Sequence, residues 1–196
     1  MGTGYRVQGT GKRRQTEIPL ASPFEKGGVR GILKWGNALK RNYLLFVLTA
    51  LVIIVLDQIT KVYIDTHMTL HECIPVIQGF FNITYVRNPG AAFGILSDAT
   101  PFIRALFLIG VSIFAAGLIV YYIARMKKED ILLVYGMSLI MGGAVGNLID
   151  RIRLGEVIDF LDVFISTYHW PAFNVADSAV TVGAIILFYK LIKGQV

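Results

Sequence analysis

The chain has 196 residues, 55% hydrophobic and 16% charged, with a formal net charge of +6 and a mean hydropathy of +0.61; so apolar a composition excludes an ordinary soluble domain and makes the bilayer the solvent. The basic residues fall outside the apolar stretches instead of along a groove, so they read as topology signals and not as a nucleic-acid surface. A single cysteine, Cys73, excludes an internal disulfide and a cysteine metal cluster.

Residues 1–40 are polar, rich in Gly, Lys and Arg, and lack the apolar run and small-residue cleavage site of a secretory signal. They are expected to be a disordered or vector-derived extension, set apart from a four-span domain over 41–196. The first span is expected at Tyr43–Tyr63, with an apolar core from Leu44 to Leu56 and with Asp57, Gln58 and Lys61 near its far end. In the following loop, Phe80–Arg87 is β-prone and runs into Asn88-Pro-Gly90, a strong turn signal.

The second span, Ala105–Ala124, has no charged residue. The third, Ile131–Ile149, is uncharged and carries Gly136, Gly142, Gly143 and Gly146, which permit close helix contact. A second β-prone run, Val157–Phe164, lies in the loop before the fourth span, which is expected at Ala172–Ile192 with Asp177 about five residues inside it. Fourteen Lys and Arg residues fall on the side of the termini and five on the other, which predicts cytoplasmic termini and outward-facing strand-bearing loops. The expected fold is an all-α membrane protein of four transmembrane helices with a small extracytoplasmic β-rich element.

An ionised carboxylate at the centre of a span costs about 2.5–3.5 kcal/mol, so Asp57 and Asp177 need a reason to be there. Asp159 sits in the loop just before the fourth span, and the third span delivers Asn147, Asp150 and Arg151 to the same edge. Asn147 and Arg151 share a helix face at i, i+4, and Asn174 and Asp177 do so at i, i+3. Convergent carboxylates suit hydrolysis by an aspartic dyad, in which one Asp takes a proton from water and its protonated partner hydrogen-bonds the scissile carbonyl. Two such groups share a proton because both cannot ionise cheaply at contact.

Blander readings stand beside this one. Asp57 and Lys61 form an i, i+4 ion pair, Asp150 and Arg151 a helix-end salt bridge, Asp162 is a solvated loop residue, and Asp177 makes a buried structural hydrogen bond. His67 and His71, with Glu72, have ligand spacing but no third partner. Ser178 with Lys61 or His169 as base lacks a nucleophile elbow. A proton or cation relay through Asp57 and Asp177, and a noncatalytic lipid- or partner-binding protein, are the alternative functions.

Five blocks in order carry a resemblance. Asp57-Gln-Ile-Thr-Lys61, Asn88-Pro-Gly-Ala-Ala-Phe-Gly94, Gly142-Gly-Ala-Val-Gly-Asn-Leu-Ile-Asp-Arg151, Val157-Ile-Asp-Phe160 and Phe173-Asn-Val-Ala-Asp-Ser178 make the chain resemble the lipoprotein signal peptidases, or signal peptidase II, over about residues 43–192. The resemblance implies that Asp159 and Asp177 are the catalytic aspartates. Asn88, Gly90, Gly143, Asn147, Arg151 and Asn174 look like residues that bind substrate or orient the dyad, with Asp57 and Lys61 in support. It further implies a prolipoprotein substrate bearing a diacylglyceryl cysteine, sensitivity to globomycin-type cyclic peptides, and a bacterial inner-membrane location with the site near the periplasmic face. No metal, organic cofactor or nucleic acid is expected; membrane lipids and the prolipoprotein are the expected partners, and a monomer the expected state. The loop Asn88–Gly94 is expected to supply a hinge.

Overall fold

A computed structural model describes residues 26–90, 100–126 and 130–194. Two compact units make up the chain, Met1–Lys34 and Trp35–Val196; of the first, only the opening turns of helix α1 belong to the described residues. The expectation of disorder over 1–40 therefore lies outside the described residues for 1–25, while helix runs on from Lys26. In chain order the elements are α1 (Lys26–His67), β1 (Cys73–Ile77), β2 (Phe81–Asn88), α2 (Pro101–Arg125), α3 (Ile131–Leu154), β3 (Val157–Ile165), β4 (Tyr168–His169) and α4 (Val175–Ile192).

Among the described residues four helical segments are long and apolar enough to cross a bilayer, 40–67, 102–125, 131–154 and 175–192. The shortest has 18 residues, or about 27 Å at 1.5 Å per residue, close to the hydrocarbon thickness. Helix α3 is the central one: its apolar window is 56% buried, against 11–22% in the other three. Its glycines explain how. A Cβ on Gly142 would lie 2.7 Å from Ile53 Cβ of α1, and one on Gly136 would lie 2.8 Å from Ile186 Cγ2 of α4. One on Gly143 would collide with the Ala176 carbonyl oxygen and lie 2.7 Å from Val180 Cγ2. Where no hydrophobic force separates helix from lipid, such close backbone approach supplies the packing. Gly143→Val is accordingly expected to destabilise the protein by about 1–3 kcal/mol, read as a lower melting temperature in detergent; an unchanged melting temperature would mean that α3 and α4 are not held by this contact.

The strands form one antiparallel sheet in the order β1-β2-β3-β4. β1 and β2 follow α1, β3 and β4 follow α3, and β2 pairs with β3 from Phe81↔Val163 to Asn88↔Val157. Ile64 of α1 packs with Tyr85, Ile158 and Phe160, seating the sheet on the end of the first helix. Tyr85 donates its hydroxyl to Asp65, and Arg87 Nη2 lies 2.9 Å from the same carboxylate, which fastens β2 one residue before Asn88.

Several boundaries differ from the sequence expectation. Helix α4 starts at Val175 instead of Ala172, because Asn174 closes a capping box with Asp177 and the preceding residues run back along β3. Asp177 is thus in the first turn and not about five residues down. Helix α3 extends past Ile149 to Leu154 and stops at Gly155, whose φ of 76° is the left-handed cap conformation. Asp162 is not a solvated loop residue but a buried residue of β3. Strand β1 was hidden by Pro75, which an edge strand tolerates. Residues 91–94 of the expected hinge lie outside the described residues.

Candidate active site

Asp159 arrives on β3, Asp177 on the first turn of α4, and Asn174 touches both. Its Nδ2 lies 2.7 Å from Asp159 Oδ1, while its Oδ1 accepts the Asp177 backbone N–H at 2.9 Å. The Asn174 backbone N–H in turn donates to Asp177 Oδ2 at 3.3 Å. An N-cap residue satisfies helix N–H groups that have no intrahelical partner; this one also ties the helix start to the strand. Asn147 of α3 donates Nδ2 to Asp177 Oδ1 at 2.8 Å, and Asn88 of β2 donates Nδ2 to Asp159 Oδ2 at 3.0 Å. Gly90 closes the turn by donating its N–H to Asn88 Oδ1 at 3.0 Å.

Both carboxylates line a cleft of about 600 Å³, with Asn88, Gly90, Asn147 and Arg151. Of the expected site residues, Asp159, Asp177, Asn88, Gly90, Asn147 and Arg151 thus meet at one surface, with Asn174 directly behind. Gly143 is not at the cleft; it lets α3 approach α4 beneath it. Asp57 and Lys61 form a buried support. Lys61 Nζ lies 2.9 Å from Asp57 Oδ2, 2.9 Å from Asp150 Oδ2 and 2.7 Å from Asn147 Oδ1. Asp57 Oδ1 accepts the Ala176 N–H at 2.9 Å, placing a carboxylate at the positive end of α4. Asp150 therefore pairs with Lys61 and not, as its neighbour in sequence suggested, with Arg151. Ser178 spends its hydroxyl on the Asn174 carbonyl at 2.8 Å, and His169 is held by Asp162, so the serine-nucleophile alternative gains nothing.

Burial, and then the charge of Asp177, push the Asp159 carboxyl up to about 7, with the amide donors of Asn88 and Asn174 and the more distant Lys61 acting the other way. A group with its pKa raised in this way keeps its proton well past the usual carboxylate range and loses it as pH rises through about 7. If the protonated form of Asp159 is required, kcat/KM falls on the alkaline side with an apparent pKa near 7. Asn88→Ala, which removes a donor that favours the charged form, is expected to move that limb to higher pH. A limb that stays in place in Asn88→Ala would sever Asp159 from the pH profile.

Sequence reasoning missed the wall formed by Trp170, Pro171, Ala172 and Phe173, together with Val180 and Val182. Its one available signal was the Trp170-Pro171 pair, two residues short of the capping Asn174, at the depth where interfacial aromatics gather.

A family model described as Signal peptidase (SPase) II matches residues 49–193. The chain belongs to the signal peptidase II family. It is similar to the lipoprotein signal peptidase of Syntrophus aciditrophicus (strain SB), at 52% identity over 157 residues, 80% of this chain and 98% of that protein. The protein of the same name from Geobacter sulfurreducens is 51% identical, covering 80% of this chain and 97% of its own. A solved bacterial membrane enzyme, determined by the in meso method at 1.9 Å resolution, is 37% identical with a TM-score of 0.68, covering 76% of this chain and 92% of its own. The chain is therefore a multi-pass membrane protease of the signal peptidase II type, and the family match takes in Asp57, Lys61, Asp159, Asp177 and all four asparagine and arginine residues that surround them.

Proposed function

We infer that this chain is an intramembrane aspartic endopeptidase that removes signal peptides from diacylglyceryl-modified prolipoproteins, with Asp159 and Asp177 as its dyad. The observation that carries the reading is the bridge made by Asn174, which joins carboxylates from two separate elements at the mouth of one cleft.

The carboxyl of Asp159, with its raised pKa, holds the shared proton and hydrogen-bonds the scissile carbonyl oxygen. Asp177 accepts a proton from water as the water oxygen attacks the carbonyl carbon. Asp159 passes its proton to the carbonyl oxygen as water adds, giving a gem-diol; this collapses as the protonated Asp177 gives its proton to the leaving nitrogen, the C–N bond breaks, and Asp159 takes back a proton from a diol hydroxyl, which restores the shared proton. Asn147 and Asn174 hold Asp177 while Asn88 and Asn174 hold Asp159, so neither carboxylate has to be oriented during the reaction. No metal or organic cofactor enters these steps. Val180 and Val182 extend the cleft along α4 below Asp177, giving the signal helix an apolar path while acyl chains stay in lipid. The excess of basic residues on the side of the termini supports cytoplasmic termini and a site near the periplasmic face of the inner membrane. The same reading implies competition by globomycin-type cyclic peptides and activity as a monomer.

The direct test presents purified protein in lipid nanodiscs with a prolipoprotein carrying the diacylglyceryl group and with the unmodified precursor. Cleavage of the modified substrate immediately before its lipidated cysteine is expected, with little cleavage of the other. Equal cleavage of both would remove the lipid from the proposed specificity, and cleavage of neither would remove the function.

A further inference from the structure

A second buried polar cluster lies on the sheet, outside the dyad and the Lys61 support. Asp162 of β3 and its register partner Asn82 of β2 are each 8% exposed. Asn82 donates Nδ2 to Asp162 Oδ2 at 2.9 Å, and His169 Nδ1 of β4 lies 2.8 Å from Asp162 Oδ1. The His169 ring stacks on Phe164, its own register partner, with 4.6 Å between ring centres. One carboxylate therefore joins side chains from three neighbouring strands. It stands three positions after Asp159 on the same strand.

The cluster lies beside the weak point of the cleft wall. Trp170 donates its N–H to the Val163 carbonyl at 2.9 Å, and Phe173 exchanges backbone hydrogen bonds with Leu161 at 3.1 and 2.8 Å. Between these anchors the returning chain has two residues, Pro171 and Ala172, where β3 has one, Asp162. Such a bulge leaves the extra residue out of the ladder, and Pro171 has no N–H to give. The wall that lines the cleft thus runs through a gap in its own backbone pairing, and β4 contributes two residues of strand. Opposite the gap stands Asp162, whose carboxylate holds His169, one residue before the Trp170 anchor, and Asn82 on the far strand.

We propose that Asp162 is a positioning residue for substrate: through His169 and Asn82 it fixes the wall Trp170–Phe173, and so sets affinity for the peptide in the cleft without acting on the bond that breaks. The proposal rests on the endopeptidase reading above. Its test pairs kinetics with a readout independent of cleavage. The sequence has two tryptophans, so Trp35→Phe leaves Trp170 as the sole fluorescent reporter of the wall. In that background Asp162→Ala is expected to raise KM about tenfold while kcat stays within about threefold, and to make Trp170 more accessible to acrylamide quenching. Asp162→Asn can still accept from His169, and can donate to Asn82 once that amide turns over, so its KM and quenching stay near those of the parent. His169→Phe keeps the ring stack without the hydrogen bond, at a half-exposed site that tolerates it, and is expected to shift both readouts in the direction of Asp162→Ala. If Asp162→Ala fails to fold, His169→Phe decides alone. Unchanged KM and quenching in His169→Phe, or a fall in kcat at constant KM, would overturn the proposal. A parent protein that cuts nothing would instead overturn the endopeptidase reading, while the quenching comparison would still judge the wall.

Discussion

Asparagine in place of Asp159 or of Asp177 is expected to lower the cleavage rate at least about 10³-fold, in line with the loss of a positioned acid or base, while lipid-modified substrate still binds. An amide at position 159 cannot give a proton to a carbonyl oxygen, and an amide at position 177 cannot take one from water. Asp159→Asn should also leave a mark on stability. Asp159 has its pKa raised by burial, so its ionised form is disfavoured in the folded protein. Native stability therefore falls as pH rises from the unfolded carboxylate value toward about 7, and remains lower above it. The neutral amide of Asp159→Asn escapes that loss, offset in part because its nitrogen faces a donor from Asn88 or Asn174. Relative to the parent, Asp159→Asn should thus melt at a higher temperature at pH 8 than at pH 5, with cleavage lost at both. A variant that melts early at both values and cuts slowly would point to a damaged fold, and one that still cuts at the parental rate would remove Asp159 from the dyad.

The spans were legible because a bilayer imposes length and composition together, and the stretches 43–63, 105–124 and 131–149 meet both conditions with no tertiary information. The two long strands were legible from β-branched and aromatic runs. Their register was not, since it depends on a bulge between Ile83 and Val86 that no local pattern announces. The site was half legible. Intramembrane carboxylates stand out by their energetic cost, which drew attention to Asp57 and Asp177, whereas Asp159, in a loop, was marked by its place at the same edge and by the family resemblance. How they connect was hidden, because Asn174 has the same spacing to Asp177 whether it lies on a helix face or caps the helix, and only the return of 170–173 along β3 decides for the cap. Asp162 shows the same limit: beside Asp159 in sequence it reads as one more loop acid, whereas its partners lie 80 residues back and seven residues on.

Removing the Lys61 ammonium should do more harm to the fold than removing the carboxylate of Asp159 or of Asp177. Lys61 is 1% exposed, and its neighbours Asp57 and Asp150 are 0% and 1% exposed. Its three acceptors, Asp57, Asp150 and Asn147, match the three hydrogens an ammonium can donate. Lys61→Met keeps the apolar stem and leaves two buried carboxylates without their cation, a change of the kind that costs about 3–5 kcal/mol. Gln58 still reaches both, and the N–H groups of Ala176 and Ile158 remain, but these are neutral donors. Activity should fall with stability, since Asn147 loses the closer and charged one of the two donors to its amide oxygen, keeping only Asn174 at 3.2 Å, which loosens its hold on Asp177. The discriminating comparison is Lys61→Met against Lys61→Met with Asp150→Asn, measured by melting temperature in detergent. If buried charge imbalance is the cause, the second substitution restores part of the lost stability although it removes one more native group. If the double variant melts lower than the single one, Lys61 stabilises the bundle by packing and hydrogen-bond geometry, and the charge argument fails.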